Sequence, residues 1–258
     1  MNRANVYISC CSRRNPEWDM YTSLQNAMEF ARGARIDSTL FPRVGGTLIC
    51  RERNRVARDF LIDGQHTHLL TIDDDVTLPK DAIVKLVSSG KSVIGGIYRL
   101  KDMSGGRVAV RIPSPQLWPM ILKGGIISEA TYLSSGCMMV TNSFLEAMVR
   151  HYPDTAYNEN LSHTPTWALY QPYIHVRKSG LREYLSEDWA FCQRVRDMNT
   201  QLYVHGGVKC GHWGLMKYDF YYPERFIDAC GDIHDSEKNS GMFSSAEVDM
   251  ETLEEGTI

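Results

Sequence analysis

Within its first 98 residues the chain alternates four short β-rich apolar runs with three stretches of helical spacing. That alternation restricts it to βαβ units and a largely parallel sheet packed between helices. Residues 6–10 read as the first strand. Residues 19–32 place Met20, Leu24, Ala27, Met28 and Ala31 on one side of a helix, and 38–44 read as a second strand. In the next helical stretch, 51–62, a wheel at about 100° per residue gathers Arg51, Arg55 and Arg58 opposite Val56, Ala57, Phe60 and Leu61. Residues 68–72 form a strand that runs directly into Asp73, Asp74 and Asp75. Pro79 suits the first turn of a helix reaching residue 88, and 92–98 returns to β-rich composition.

The second half is less regular. Residues 101–127 are rich in glycine and proline without periodicity, and 151–181 is a second irregular stretch that includes Trp167, Tyr170 and Tyr173. Loops of that length are usually functional or disordered, and their aromatic content favours function. Between and after them, 132–141 reads as a strand, 143–150 and 187–199 as helices, the latter with Ser186 as N-cap, and 201–205 as a short strand ahead of GGVKCGHWG. Residues 1–235 are expected to form a single domain, followed by a polar, acidic tail over 236–258.

Composition narrows the function classes. Forty-three per cent hydrophobic residues suffice for a substantial core, and 28 basic against 31 acidic side chains give no global preference for nucleic acid or anionic membrane. No run approaches the roughly 20 apolar residues that span a bilayer. Together with the short apolar run near the amino terminus, this gives the expectation of a cytoplasmic protein. The seven cysteines, with Cys10 and Cys11 adjacent, make a poor disulfide framework and read as reduced thiols.

Three consecutive carboxylates at a strand end raise one another's pKa unless a cation neutralises them. Hard oxygen ligands favour Mg²⁺ or Mn²⁺, commonly shared with substrate phosphates. A plain acidic loop tip is the alternative. An EF-hand is excluded because Val76, Thr77, Leu78 and Pro79 follow with no glycine or terminal glutamate at loop spacing. Zinc on Cys210 and His212 lacks a second pair of soft ligands.

The segment HLLTIDDDVTLP resembles the DxD segment of metal-dependent GT-A glycosyltransferases, and SEDWAFCQRV resembles that family's Glu-Asp motif. His212, in KCGHWG, is similar to the late histidine that completes the metal site in many of them. The resemblance spans residues 5 to 215 and implies a GT-A fold, a Rossmann-like mixed sheet, mostly parallel, flanked by helices and carrying long acceptor-side loops. It implies Asp75, His212 and Asp73 as metal ligands, with Asp73 and Asp74 also near the donor. Asp188, with Glu187, faces the acceptor, where a carboxylate can take the hydroxyl proton. Acidic residues at a helix start also favour the helix dipole with no catalytic role.

Further donor contacts are expected from RERNRVARDFL, which looks like the helix preceding the DxD strand in small bacterial and viral relatives. Arg51, Arg55 and Arg58 would reach the diphosphate, or stand as a solvated basic face. Ser9 and Arg13 lie where the first strand's carboxyl end would meet the nucleoside. Ser135 and Gly136, in SSGCMMV, would permit close approach of the sugar.

The resulting expectation is transfer of a sugar from a nucleotide-sugar donor, UDP-sugar favoured, with Mn²⁺ or Mg²⁺, to a glycan or, less readily, a hydroxylated DNA base or a protein. A DNA acceptor would call on Arg13, Arg14, the 51–58 arginines, Arg99, Lys101, Arg107 and Arg111 as a basic groove. Two alternatives remain open. One is a sugar-phosphate nucleotidyltransferase, although CCSRRNPEWD lacks that class's glycine-rich loop; the other is a non-catalytic module that holds a nucleotide sugar or glycan.

Overall fold

The computed structural model describes residues 3–12, 16–101, 107–159 and 164–214, and the backbone of three short strands beyond them. In chain order the elements are β1 (Asn5–Ser12), α1 (Trp18–Gly33), β2 (Asp37–Val44), α2 (Ile49–Asp63), β3 (His68–Asp73), β4 (Val76–Thr77), α3 (Ala82–Ser88) and β5 (Val93–Ile97). There follow α4 (Trp118–Gly124), β6 (Ile127–Ala130), β7 (Cys137–Thr141), α5 (Asn142–His151), β8 (Ala156–Asn158), β9 (Pro165–Trp167), β10 (Tyr173–Val176) and β11 (Arg182–Leu185). The chain continues through α6 (Glu187–Asp197), β12 (Leu202–Lys209), β13 (Gly211–Trp213) and β14 (Lys217–Tyr218) to the paired strands β15 (Arg225–Ile227) and β16 (Ile233–Asp235).

Seven strands form the central sheet in the order β2-β1-β3-β7-β5-β12-β6. β1 pairs in parallel with β2 and β3, and β5 with β12, while β7 and β6 run antiparallel to their neighbours. Five strands therefore share one direction, and the expected mixed, mostly parallel sheet flanked by helices is what forms. Side chains alternate between two cores, as a period of two requires. Along β1 and β3, Val6, Ile8, Cys10, Leu70 and Ile72 pack on one face with α1 and α3 through Met20, Leu24, Ile83 and Leu86. Tyr7 and Leu69 join the other face, covered by α2, α4, α5 and α6 through Phe60, Trp118, Leu145 and Phe191.

Several sequence expectations need correction. The helix after the aspartates begins at Ala82, three residues beyond Pro79. The stretch read as irregular over 101–127 contains α4, where Trp118, Ile121 and Leu122 bury one side of a seven-residue helix. Residues 132–136 are not strand: Tyr132 and Leu133 are buried as a loop segment that leads into β7. The 151–181 stretch is built from the β8–β9 hairpin and most of the β10–β11 hairpin. β12 runs four residues past the expected end because Gly206 allows it to pass α4, where a Cβ would overlap the Ile121 carbonyl. Residues 236–258 lie outside the described residues.

Candidate active site at the carboxyl edge of the sheet

β1 ends at Ser12, β3 at Asp73 and β5 at Ile97, all on one edge; β7 runs the other way, so Ser135 and Gly136 arrive at that same edge from its start. Open α/β sheets place their ligands there. The aspartates are fixed through their backbone. The Asp73 amide donates to the Gly136 carbonyl at 3.3 Å, Glu17 at the head of α1 donates to the Asp74 carbonyl at 2.9 Å, and Trp213 donates to the Asp75 carbonyl at 2.8 Å.

Their side chains diverge to three separate partners. Asp73 Oδ1 accepts from Arg53 at 2.7 Å, Asp74 accepts from the Ser12 hydroxyl, and Asp75 meets both Lys101 and His212. Divergence is how three adjacent carboxylates coexist: each has its own donor. Burial raises the Asp74 carboxyl, the Ser12 hydroxyl offsets part of that, and Asp75 and Asp73 push it further up, so its net displacement is upward. Burial also raises Asp75, but the bonds from His212 and Lys101 outweigh it and the net displacement is downward.

His212 reaches Asp75 because β13 pairs antiparallel with β4, directly after the aspartates, in the register His212 to Val76. Its Nδ1 lies 2.7 Å from the Arg99 carbonyl, which can only accept, so Nδ1 carries the proton. Nε2 then faces Asp75 Oδ1 at 3.4 Å. In the neutral ring that nitrogen holds a lone pair opposite a carboxylate oxygen, an arrangement satisfied by a proton or a metal ion between them. Tyr98 stacks edge-on against the His212 ring, with centroids 5.0 Å apart, and its buried hydroxyl bonds to Ser134.

The residue that sequence reasoning missed is Arg53. It is 5% exposed and reaches Asp73 with one guanidinium nitrogen and Glu187 with the other, at 2.7 and 2.5 Å. Burial alone would lower its pKa, but Asp73, Glu187 and Asp188 outweigh that and hold it charged. One side chain of α2 thus ties the end of β3 to the start of α6. A signal was present: at about 100° per residue Arg53 falls some 200° from Arg51, in the middle of the apolar stripe. A charge there must have buried partners.

Asp188 sits in the first turn of α6, with Oδ1 accepting from the Ser186 hydroxyl and from the Trp189 amide at 2.8 Å. Ser186 occupies the expected N-cap position, but its hydroxyl bonds to Asp188 and not to a helix amide. Gly136 lies against both Tyr98 and Asp73: a Cβ there would overlap the Tyr98 hydroxyl and stand 2.8 Å from Asp73 Oδ2.

Other expected contacts are placed elsewhere. Arg51 and Arg55 both bind Glu159, at 2.8 and 2.5 Å, and Arg58 pairs with Asp59 and Thr166. Ser9 spends its hydroxyl on the Phe41 carbonyl at 3.1 Å inside the sheet. Ser135 is fully buried; its carbonyl accepts from Thr71 at 2.7 Å, and its hydroxyl has no hydrogen-bond partner among the described residues. Of the basic groove, Arg99 is buried, Lys101 is on Asp75, and Arg111 is 3.7 Å from Glu183. Arg13 and Arg14 lie outside the described residues.

As for a cation, no group of three or more His, Cys, Asp or Glu side chains is gathered as a metal-binding set among the described residues. Asp75 and His212 stand together, while Asp73 is turned to Arg53. Two protein ligands fit an ion such as Mg²⁺ or Mn²⁺, which is often held by one or two side chains with substrate phosphates and water completing its shell.

The sequence matches no family model and no curated protein. Among solved structures, A197 from STIV aligns over 95% of this chain and 100% of its own, at 13% identity and a TM-score of 0.44. A structure described as mannose-1-phosphate geranyltransferase from Thermus thermophilus covers 58% of this chain and 61% of its own, at 10% identity and 0.36. A glycosyltransferase involved in the glycosylation of the major capsid of PBCV-1 covers 78% and 92%, at 10% identity and 0.31.

Proposed function

We propose that the protein transfers a glycosyl group from a nucleoside-diphosphate sugar, UDP-sugar favoured, to an acceptor hydroxyl, a glycan before a hydroxylated base or a protein. The observation that carries this reading is the Arg53 seam. It brings the DxD carboxylates and the Glu-Asp pair, which are unrelated in sequence position, to one edge of the sheet.

The charge inventory supports a cation-requiring, phosphate-bearing donor. Five carboxylates, Asp73, Asp74, Asp75, Glu187 and Asp188, gather at this edge, and the fixed cations paired with them are Arg53 and Lys101. A diphosphate could not approach such an excess of negative charge without a further cation. Asp75 and His212 would hold Mn²⁺ or Mg²⁺, whose contribution when bound is to stabilise negative charge on the departing diphosphate. The protein's own part follows from its geometry. The Arg99 carbonyl fixes the His212 tautomer so that Nε2 is directed at Asp75. Arg53 holds the Asp73 and Glu187 carboxylates on one guanidinium, at 2.7 and 2.5 Å. Asp188, whose hydrogen bonds among the described residues both fall on Oδ1, offers Oδ2 to take the acceptor proton.

A second reading has its own observation: Lys101 already neutralises Asp75, so the charge function could belong to the ammonium with no metal. Incubation with UDP- and GDP-sugars, with Mn²⁺ or with a chelator, separates these readings. The proposal expects slow hydrolysis of one donor with Mn²⁺ and none with chelator, and loss of transfer but retained donor binding in Asp188→Asn. Hydrolysis that survives chelation and fails in Lys101→Met supports the second reading. Donor binding with no turnover under any condition leaves a binding module.

A further inference from the structure

The β10–β11 hairpin carries an unusual outer face. In its antiparallel register Ile174 lies opposite Tyr184 and Val176 opposite Arg182, so these four side chains share one side. Ile174, Val176 and Tyr184 are 44%, 55% and 65% exposed, and Leu181, beside the turn, 56%. The other side cannot be exchanged for it. Leu185 is fully buried, Tyr173 lies under the Arg194 guanidinium at 4.9 Å, and Glu183 is bound by Arg177 at 2.8 Å and faces Arg111 at 3.7 Å. The apolar side is therefore held outward by contacts on its reverse.

Charge at the tip has one sign. Residues 171–182 include Arg177, Lys178 and Arg182 and contain no aspartate or glutamate. Lys178 and Arg182 are exposed. The adjacent acid, Glu183, points to the reverse face, where its arginines neutralise it. An apolar patch with a tyrosine, edged by cations, matches the boundary of an anionic bilayer, where apolar side chains enter the acyl region, tyrosine sits at headgroup depth and cations meet lipid phosphates. A purely polyanionic partner would leave Ile174, Val176 and Leu181 unused. A symmetric contact with a second copy would set Lys178 and Arg182 against their own counterparts.

We propose that this hairpin face docks the protein on an anionic lipid surface. No helix among the described residues is long and apolar enough to cross a membrane. β11 passes through Ser186 directly into Glu187 and Asp188. At about 3.3 Å per residue, Tyr184 stands within roughly 13 Å of Asp188 along the chain. Docking would hold the acceptor edge beside the headgroups, which favours an acceptor glycan carried on a lipid. That consequence rests on the transfer reading; the docking itself does not.

The test is co-sedimentation of the full chain with vesicles of mixed phosphatidylglycerol and phosphatidylcholine, against vesicles of phosphatidylcholine alone, with no donor or metal present. Binding to the anionic vesicles, weakened by salt, is expected. Lys178→Ser with Arg182→Ser should lower it about 25-fold, at roughly fivefold per cation. Ile174→Ser with Leu181→Ser should lower it at least tenfold, as burial of two aliphatic chains implies. Unchanged far-UV circular dichroism and donor hydrolysis in solution show that the variants keep their fold and any turnover. Because the vesicle assay requires no chemistry, its failure is separate from failure of the transferase reading. The proposal is overturned by absence of binding to anionic vesicles, by binding that the four substitutions leave intact, or by a concentration-dependent dimer that the same substitutions dissolve.

Discussion

Replacing Arg53 with methionine tests the seam on which the site depends. Methionine keeps the length of the aliphatic stem within the apolar side of α2 and removes only the guanidinium. Two carboxylates then lose their shared partner. Breaking a fully buried ion pair costs about 3–5 kcal/mol. Asp73 and Glu187 keep 29% and 21% side-chain exposure and so regain some hydration. The expected loss is therefore about 2–4 kcal/mol, a fall in melting temperature of roughly 5–15 °C. Urea denaturation followed by tryptophan fluorescence measures it. Adding Asp73→Asn and Glu187→Gln removes the stranded charges and should restore at least half of the loss. Arg53→Lys should fall between, since an ammonium retains the charge but not the fork. A cost below about 1 kcal/mol for the methionine variant, or further loss on neutralising the two acids, would refute the claim that Arg53 is held by this pair of charges.

Other expectations follow from the same site. Asp75, depressed in the fold, contributes stability that is present at neutral pH and is lost as pH falls through and below the ordinary carboxylate range. Asp74, raised, has the opposite sign and costs stability when ionised. In metal-free buffer Asp75→Asn should therefore destabilise and Asp74→Asn stabilise at pH 7, with the two differences shrinking on acidification; equal effects of one sign would contradict the assignment. If the proposed cation site is right, His212→Gln should raise the Mn²⁺ concentration needed for donor hydrolysis by about 10–100-fold, read by metal titration, whereas an unchanged requirement would contradict the proposal that His212 holds the ion. Gly136→Ala forces a methyl group against the Tyr98 hydroxyl and Asp73, and should cost about 1–3 kcal/mol with a drop in turnover greater than the melting shift explains.

Much of the fold was legible because its elements are long enough to show a period. β1, α1, β2, α2, β3, α5 and α6 all follow apolar spacing in the chain. α4 was not legible, since seven residues make too few turns to display a face, and Pro119 lies within them. Residues 132–136 misled because burial of Tyr132 and Leu133 looks the same in sequence whether or not a ladder of hydrogen bonds accompanies it. At the site, the aspartates, the Glu-Asp pair and His212 were visible as chemistry-bearing types in order. Arg53 was hidden because attention to a helix's charged face passes over a charge on the opposite one. Arg51 and Arg55 of that charged face turned instead to Glu159, a partner more than a hundred residues away that no local pattern announces.

The Arg53 fork also has a mechanical meaning. Its partners lie 20 residues after it and 134 residues after it, so a single planar group spans the seam between the two halves of the cleft. Its rigid geometry works as a spacer of fixed gauge: β3 and α6 cannot part without breaking one of two short ion pairs made by the same buried guanidinium.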